Sequence, residues 1–236
     1  LLALCMLFCL VPTTAFAAGE TNRKVETEQE LVDALADSSV DIITLKNDIA
    51  IGTTLTVNRK VILDLVGYML EISGSGSVIK IKSGGHLTLK DSDPTSTYKF
   101  TPDANGLWKR GTAGTKTVNG GVIYGGNAGY GGGVHIEADG RFTMNGGSIV
   151  GCLASRESSG YGGGVYVIDG GAFEMNDGAA IIGCVAVDGY GGVVHIETDG
   201  RFTMNGGTIR DCTAFTAGAI NYRGKTPLIL NGKIIA

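Results

Sequence analysis

The chain has no closely spaced Cys-x-x-Cys pair, so it lacks the ligand pattern of a structural zinc site, and no metal site or cofactor is expected. It also lacks charge at its start. Residues 1–18 hold no charged side chain, no Met begins them, and no basic segment precedes the apolar run Leu1 to Val11. That run is too short for a permanent membrane helix. Followed by Ala15-Phe16-Ala17, it reads as the apolar region and cleavage site of a secretory signal peptide over residues 1–17, with its beginning missing. Neither Cys5 nor Cys9 follows the small residue that a lipoprotein signal needs. No membrane span is expected after cleavage, and the implied localisation is secreted, extracellular or cell-wall associated. A basic surplus is also missing. The net charge of -4 argues against nucleic acid as a partner and against an anionic membrane surface. Proline occurs four times and tryptophan once.

Glycine is abundant instead, with 39 residues. It recurs at intervals among Val, Ile, Phe and Met, which marks ordered repeats and not a disordered tract. Three segments nearly superimpose: Gly129-Tyr-Gly-Gly-Gly-Val-His-Ile-Glu137 through Cys152, Gly160-Tyr-Gly-Gly-Gly-Val-Tyr-Val167 through Cys184, and Gly189-Tyr-Gly-Gly-Val-Val-His-Ile-Glu197 through Cys212. Their asparagines Asn145, Asn176 and Asn205 align, and Asn119 and Asn231 head weaker copies. Ile79-Lys-Ile81 and the residues after it align with Val134-His-Ile136 without a gap.

Within each copy the period is two. Val134 and Ile136 alternate with His135 and Glu137, and Phe142 and Met144 with Arg141 and Thr143. Such short alternating runs, broken by glycine, predict strands with one buried face. Three strands per copy, stacked in register about 4.8 Å apart, predict an all-β, right-handed parallel β-helix solenoid. Propeller blades, leucine-rich horseshoes and calcium-binding nonapeptide rolls each need patterns absent here.

The units Tyr161-Gly-Gly-Gly-Val-Tyr-Val167 and Phe202-Thr-Met-Asn-Gly-Gly-Thr-Ile209 resemble the repeats of pectin-lyase-like surface proteins from Gram-positive, often gut-dwelling, bacteria. Val61-Ile-Leu-Asp-Leu-Val-Gly-Tyr68 followed by Ser83-Gly-Gly-His-Leu-Thr-Leu-Lys-Asp91 is similar to the way those proteins begin their helix. The likeness covers roughly residues 25–236. It implies a fold more than a function, because that superfamily holds lyases, hydrolases and adhesins. The acidic calcium cluster with its basic partner, and the Asn-Thr-Asp, Asp-Asp and His-Gly motifs of its pectin-cleaving members, have no counterpart here, so no catalytic residue is assigned.

The expected organisation is an N-terminal segment over residues 18–40 and repeats over 41–236. Thr27-Glu-Gln-Glu30 forms a capping box for a short helix whose Leu31, Ala34 and Leu35 would cover the open end of the first coil. A loop insertion is expected at about 92–117, with Trp108 packed on the coil wall or offered to a ligand. The last residues read as another coil, so the chain is expected to be a fragment that continues.

The candidate binding residues form an outward column, His135, Tyr166 and His195, with Glu137 and Glu197 two residues on and Trp108 on the insertion. At about 4.8 Å per coil this would be a shallow strip for hydrogen-bonding and stacking a sugar, or else a plain solvated sheet face. Ile196 is expected to point inward, and loss of the His195 side chain to cost no more than about 0.5 kcal/mol. Asp139 and Asp199 sit in Asp-Gly turns, too far apart for a retaining glycosidase pair. The expected function is a non-enzymatic, adhesin-like scaffold for polysaccharide or a host surface. A polysaccharide lyase or glycoside hydrolase fragment, or a structural spacer, are the alternatives.

Overall fold

The chain winds through seven stacked turns in which alternate residues enter a common apolar core. The computed structural model describes residues 20–155, 160–187, 192–215 and 218–235, so the expected leader lies outside the described residues, as does Tyr190. The first face stacks eight parallel strands: Asn22–Val25, Ile42–Leu45, Lys60–Asp64, His86–Lys90, Arg141–Met144, Ala172–Met175, Arg201–Met204 and Ile229–Leu230. The second face stacks Ile49–Ile51, Met69–Ile72, Val122–Tyr124, Gly147–Val150, Ala179–Ile182, Thr208–Arg210 and Lys233–Ile235. The third stacks Leu55–Val57, Ile79–Ile81, Val134–Ile136, Val165–Val167, Val194–Ile196 and Ile220–Tyr222. This is the parallel β-helix that the period of two predicts.

Identical positions meet coil on coil. Ile136 pairs with Val167 and Val167 with Ile196, all three fully buried. Phe142, Phe173 and Phe202 stack their rings 5.3 and 4.9 Å apart with interplanar angles of 13° and 11°. At the corner that follows, the Asn176 amide donates to Asn145 Oδ1 at 2.8 Å, and Asn205 donates to Asn176 Oδ1 at 2.9 Å. This is the amide ladder the aligned asparagines imply. A fourth, narrow ribbon of two-residue strands, Asn127–Ala128, Leu153–Ala154, Val185–Ala186 and Thr213–Ala214, was not read from the sequence. Cys152, Cys184 and Cys212 precede three of its strands as free thiols.

The helix Glu28–Ala36 closes the starting end. Thr27 and Glu30 make the capping box, and Leu31, Ala34 and Leu35 are buried against the first strands. Its last turn has no basic residue of its own. Arg59 supplies the charge from a neighbouring coil, donating to the carbonyls of Ala34, Leu35 and Val40 at 2.6–2.9 Å. A cation at a helix C-terminus satisfies orphan carbonyls and opposes the helix dipole.

The insertion is an antiparallel sheet and not a loop. Thr97–Pro102 lies between Trp108–Arg110 and Lys116–Asn119. Asn119 therefore ends a strand of the insertion and stands outside the amide ladder, although Val122, three residues on, pairs with Ser148 in the register the aligned copies imply. Phe100, Trp108 and Val118 are buried against Met69, Val122, Val150 and Ile182 of the second face. Trp108 is 1% exposed, so its ring packs on the coil wall and offers no surface to a ligand.

Candidate functional site

The outer side of the third face carries the expected column in register. Lys80, His135, Tyr166, His195 and Asn221 are successive partners on adjacent strands. Its direction is as expected, but its exposure is not: His195 is 0% and Tyr166 7% exposed, and His135 is only partly accessible. A second aromatic layer covers them. Tyr130 and Tyr161 stack on one another at 5.7 Å and 5°. The Tyr130 ring lies 5.1 Å from Tyr166, and Tyr161 meets His195 edge-on at 4.8 Å.

Glycine makes this cover. Gly131 and Gly162 have φ of 61° and 67°, and a Cβ on either would lie within 3 Å of the backbone of the strand that follows. The tight reversal lays each preceding tyrosine over the column, with its ring tilted or edge-on to the one beneath. The signal for this cover is the repeated Gly-Tyr-Gly-Gly unit, which sets a bulky ring between glycines in each copy.

Charge surrounds the aromatic layer. Glu137 Oε1 lies 3.0 Å from both Lys80 Nζ and Lys82 Nζ. Glu197 Oε1 accepts from the Tyr166 hydroxyl at 3.0 Å, and Glu197 Oε2 faces Arg223 at 3.3 Å. The same Oε1 is 3.3 Å from His195 Nε2, but the angle forms no hydrogen bond. His195 Nδ1 and His135 Nε2 are also buried without a hydrogen-bond partner. Burial lowers the pKa of both imidazoles, that of His135 to about 4, where Lys80 adds to the effect. Burial and the Glu197 carboxylate raise the Tyr166 phenol. Both histidines are therefore neutral at pH 7.

At the far end of the column, Tyr161, His195, Asn221 and Arg223 border a recess of about 310 Å³. Of these, His195 is buried beneath Tyr161. The six sequence candidates are thus separated: His135, Tyr166 and His195 lie under the tyrosines, Glu137 and Glu197 at the rim, and Trp108 on another face. Asp139, at φ 59°, serves its turn, and Asp199 pairs with Lys225 at 2.7 Å.

Residues 22–127 match the family described as "putative pectate lyase-like adhesive domain". The match ends within the third full coil and covers less than half of the chain, and its adhesive, lyase-like type agrees with the parallel β-helix. No curated protein matches the chain, and no solved structure does. No helix among the described residues is long and apolar enough to cross a membrane.

Proposed function

We propose that this chain is a secreted, adhesin-like surface protein that holds polysaccharide through the recess at the end of the third face, without cleaving it. The observation that carries the reading is the His195 imidazole, buried with an unpaired Nδ1, among the residues that border that recess. The nitrogen has no exposed surface while Tyr161 lies over it, so a sugar hydroxyl reaches it only with that ring swung aside. Recovery of the ~1–3 kcal/mol that an unpaired buried polar group costs favours that bound state. Tyr161 gives a flat ring edge, Arg223 and Asn221 give polar groups at the mouth, and Glu197 fixes Arg223. Small sites of this kind, apolar or aromatic walls with a few placed polar groups, set ligand orientation. The adhesive type of the matched family supports the same class.

Binding of the protein to a panel of immobilised neutral and acidic glycans tests it, with His195→Phe and Arg223→Ala in parallel. Both variants are expected to fold and to lose the bound glycan. Retention by both removes the recess as the site. New reducing ends or unsaturated products, absent after heat inactivation, would place the chain among lyases or hydrolases instead.

A further inference from the structure

The first face carries a separate outward column. Lys60, His86, Arg141, Ala172 and Arg201 are successive partners across five coils. Lys60, Arg141 and Arg201 are exposed, and among the described residues their side chains have neither hydrogen bond nor ion pair. Among the described residues most other cations are paired with carboxylates, as Lys46, Lys80, Lys90, Arg110, Arg210, Arg223 and Lys225 are. Lys60 and Arg141 stand on the strands either side of His86 and, after burial, lower its pKa, so the column presents a local positive field that a bound anion would offset.

The column is interrupted at one coil. Ala172 stands between Arg141 and Arg201, and Glu174, two residues on, is the exposed group of that coil. The two guanidinium groups are thus rooted two coils apart, about 9.6 Å, on either side of a depression of about 190 Å³ that Thr143 and Thr203 also border. From coil to coil the charged groups run cation, carboxylate, cation, with Glu174 offset along its strand into register with Thr143 and Thr203 and accepting from Asn205 at 3.0 Å.

We propose that this face binds an acidic polysaccharide lying along the helix axis, one in which charged sugars alternate with neutral ones. Extended sugar units are comparable in length to one coil. Acidic groups two units apart meet Arg141 and Arg201, whose planar forks suit carboxylate and sulfate alike. The neutral sugar between them lies over Ala172, where its hydroxyls donate to Glu174. A polymer charged on every unit would set an anion against Glu174. The inference keeps the polysaccharide-binding reading but uses a different face, so the two fail separately.

Titration of the protein at low salt with hyaluronan, polygalacturonate and dextran tests it, since exposed charges are screened at high salt. Hyaluronan, with alternating charge, is expected to bind tightest and dextran least. Arg141→Gln and Arg201→Gln are each expected to weaken hyaluronan roughly fivefold, the upper range for an exposed ion pair. Ala172→Arg is expected to shift preference toward polygalacturonate, and Glu174→Gln to raise its affinity. Unchanged hyaluronan binding in both arginine variants, no hyaluronan binding by the parent, or equal binding of polygalacturonate overturns the proposal. Hyaluronan binding that survives the arginine variants but falls with His195→Phe assigns it to the recess. The opposite pattern supports the first face. Matching melting temperatures show that the exposed substitutions leave the fold intact.

Discussion

Tyr161 meets the His195 imidazole edge-on, with ring centroids 4.8 Å apart and planes at 69°, and so turns an outward strand position into a sealed one. His195 thereby belongs to a packed layer outside the coil, and its replacement by Ala is expected to cost roughly 2 kcal/mol or more through the cavity left behind. His195→Phe keeps the ring and removes both unpaired nitrogens, so it is expected to be neutral or stabilising. Ile196→Asp, one residue on, buries an unpaired carboxylate in the core and should cost several kcal/mol, with loss spreading to adjacent coils. Urea denaturation of the three variants checks the order.

Acid should weaken the same layer. The pKa of His135 falls from about 6.5 when unfolded to about 4 when folded, and that of His195 is lowered in the same direction. Between these values the unfolded chain binds more protons. The histidine contribution is therefore complete above about pH 6.5 and is lost as pH falls toward 4. Melting temperature is expected to drop through that window, and less so in a His135→Phe, His195→Phe double variant. An equal drop in both proteins would assign the acid sensitivity to other groups.

The amide ladder gives a second, local test. Asn176 both donates to Asn145 and accepts from Asn205. Asn176→Ala is expected to cost about 1–2 kcal/mol for the two hydrogen bonds. Asn176→Asp keeps the acceptor and loses the donor, so it should fall between Ala and the parent in denaturant midpoint.

The thiols should react in a fixed order. Cys152 and Cys184 are fully buried, and burial raises the Cys184 thiol well above its usual range. Cys212 is partly accessible, and the Cys184 thiol beside it lowers its pKa. Because the thiolate is the reactive form, a water-soluble disulfide reagent is expected to modify Cys212 first. Cys152 and Cys184 should react only on unfolding, which mass spectrometry of partly modified protein would show.

What the sequence revealed follows from where its periodicity holds. Val134, Ile136, Phe142 and Met144 alternate with polar neighbours and recur in later copies, so strand phase, register and the inward side of every coil were legible. Thr27 and Glu30 likewise announced the helix through a local rule. His195 was misjudged because the group that hides it is Tyr161, 34 positions away and turned over it by the positive φ at Gly162. The strand structure of the insertion, which the sequence marks only as a loop at about 92–117, is hidden for a different reason. Its strands pair antiparallel with each other, have no copies elsewhere, and bury only Phe100, Trp108 and Val118, so no period marks them. The unpaired cations Arg141 and Arg201 lay in view, but pairing is a property of three-dimensional neighbours.

Trp108 lastly bears on how the rod would respond to load. The insertion that carries it leaves the chain between the first and second faces of one turn, yet its amide donates to the Gly183 carbonyl two turns further along, at 3.0 Å. The cations of Lys116 and Arg210 lie 5.9 and 5.2 Å from its ring. At its other side Arg110 reaches back to Asp48 and Glu71, at 3.2 and 2.8 Å. One short sheet thus clasps turns from the first to the sixth. Under tension along the axis, peeling one turn from the next would require tearing this clasp as well, so rupture should come as a single high-force event spanning those turns. With Trp108→Ala the same pull should release them one by one, as a sawtooth of smaller steps.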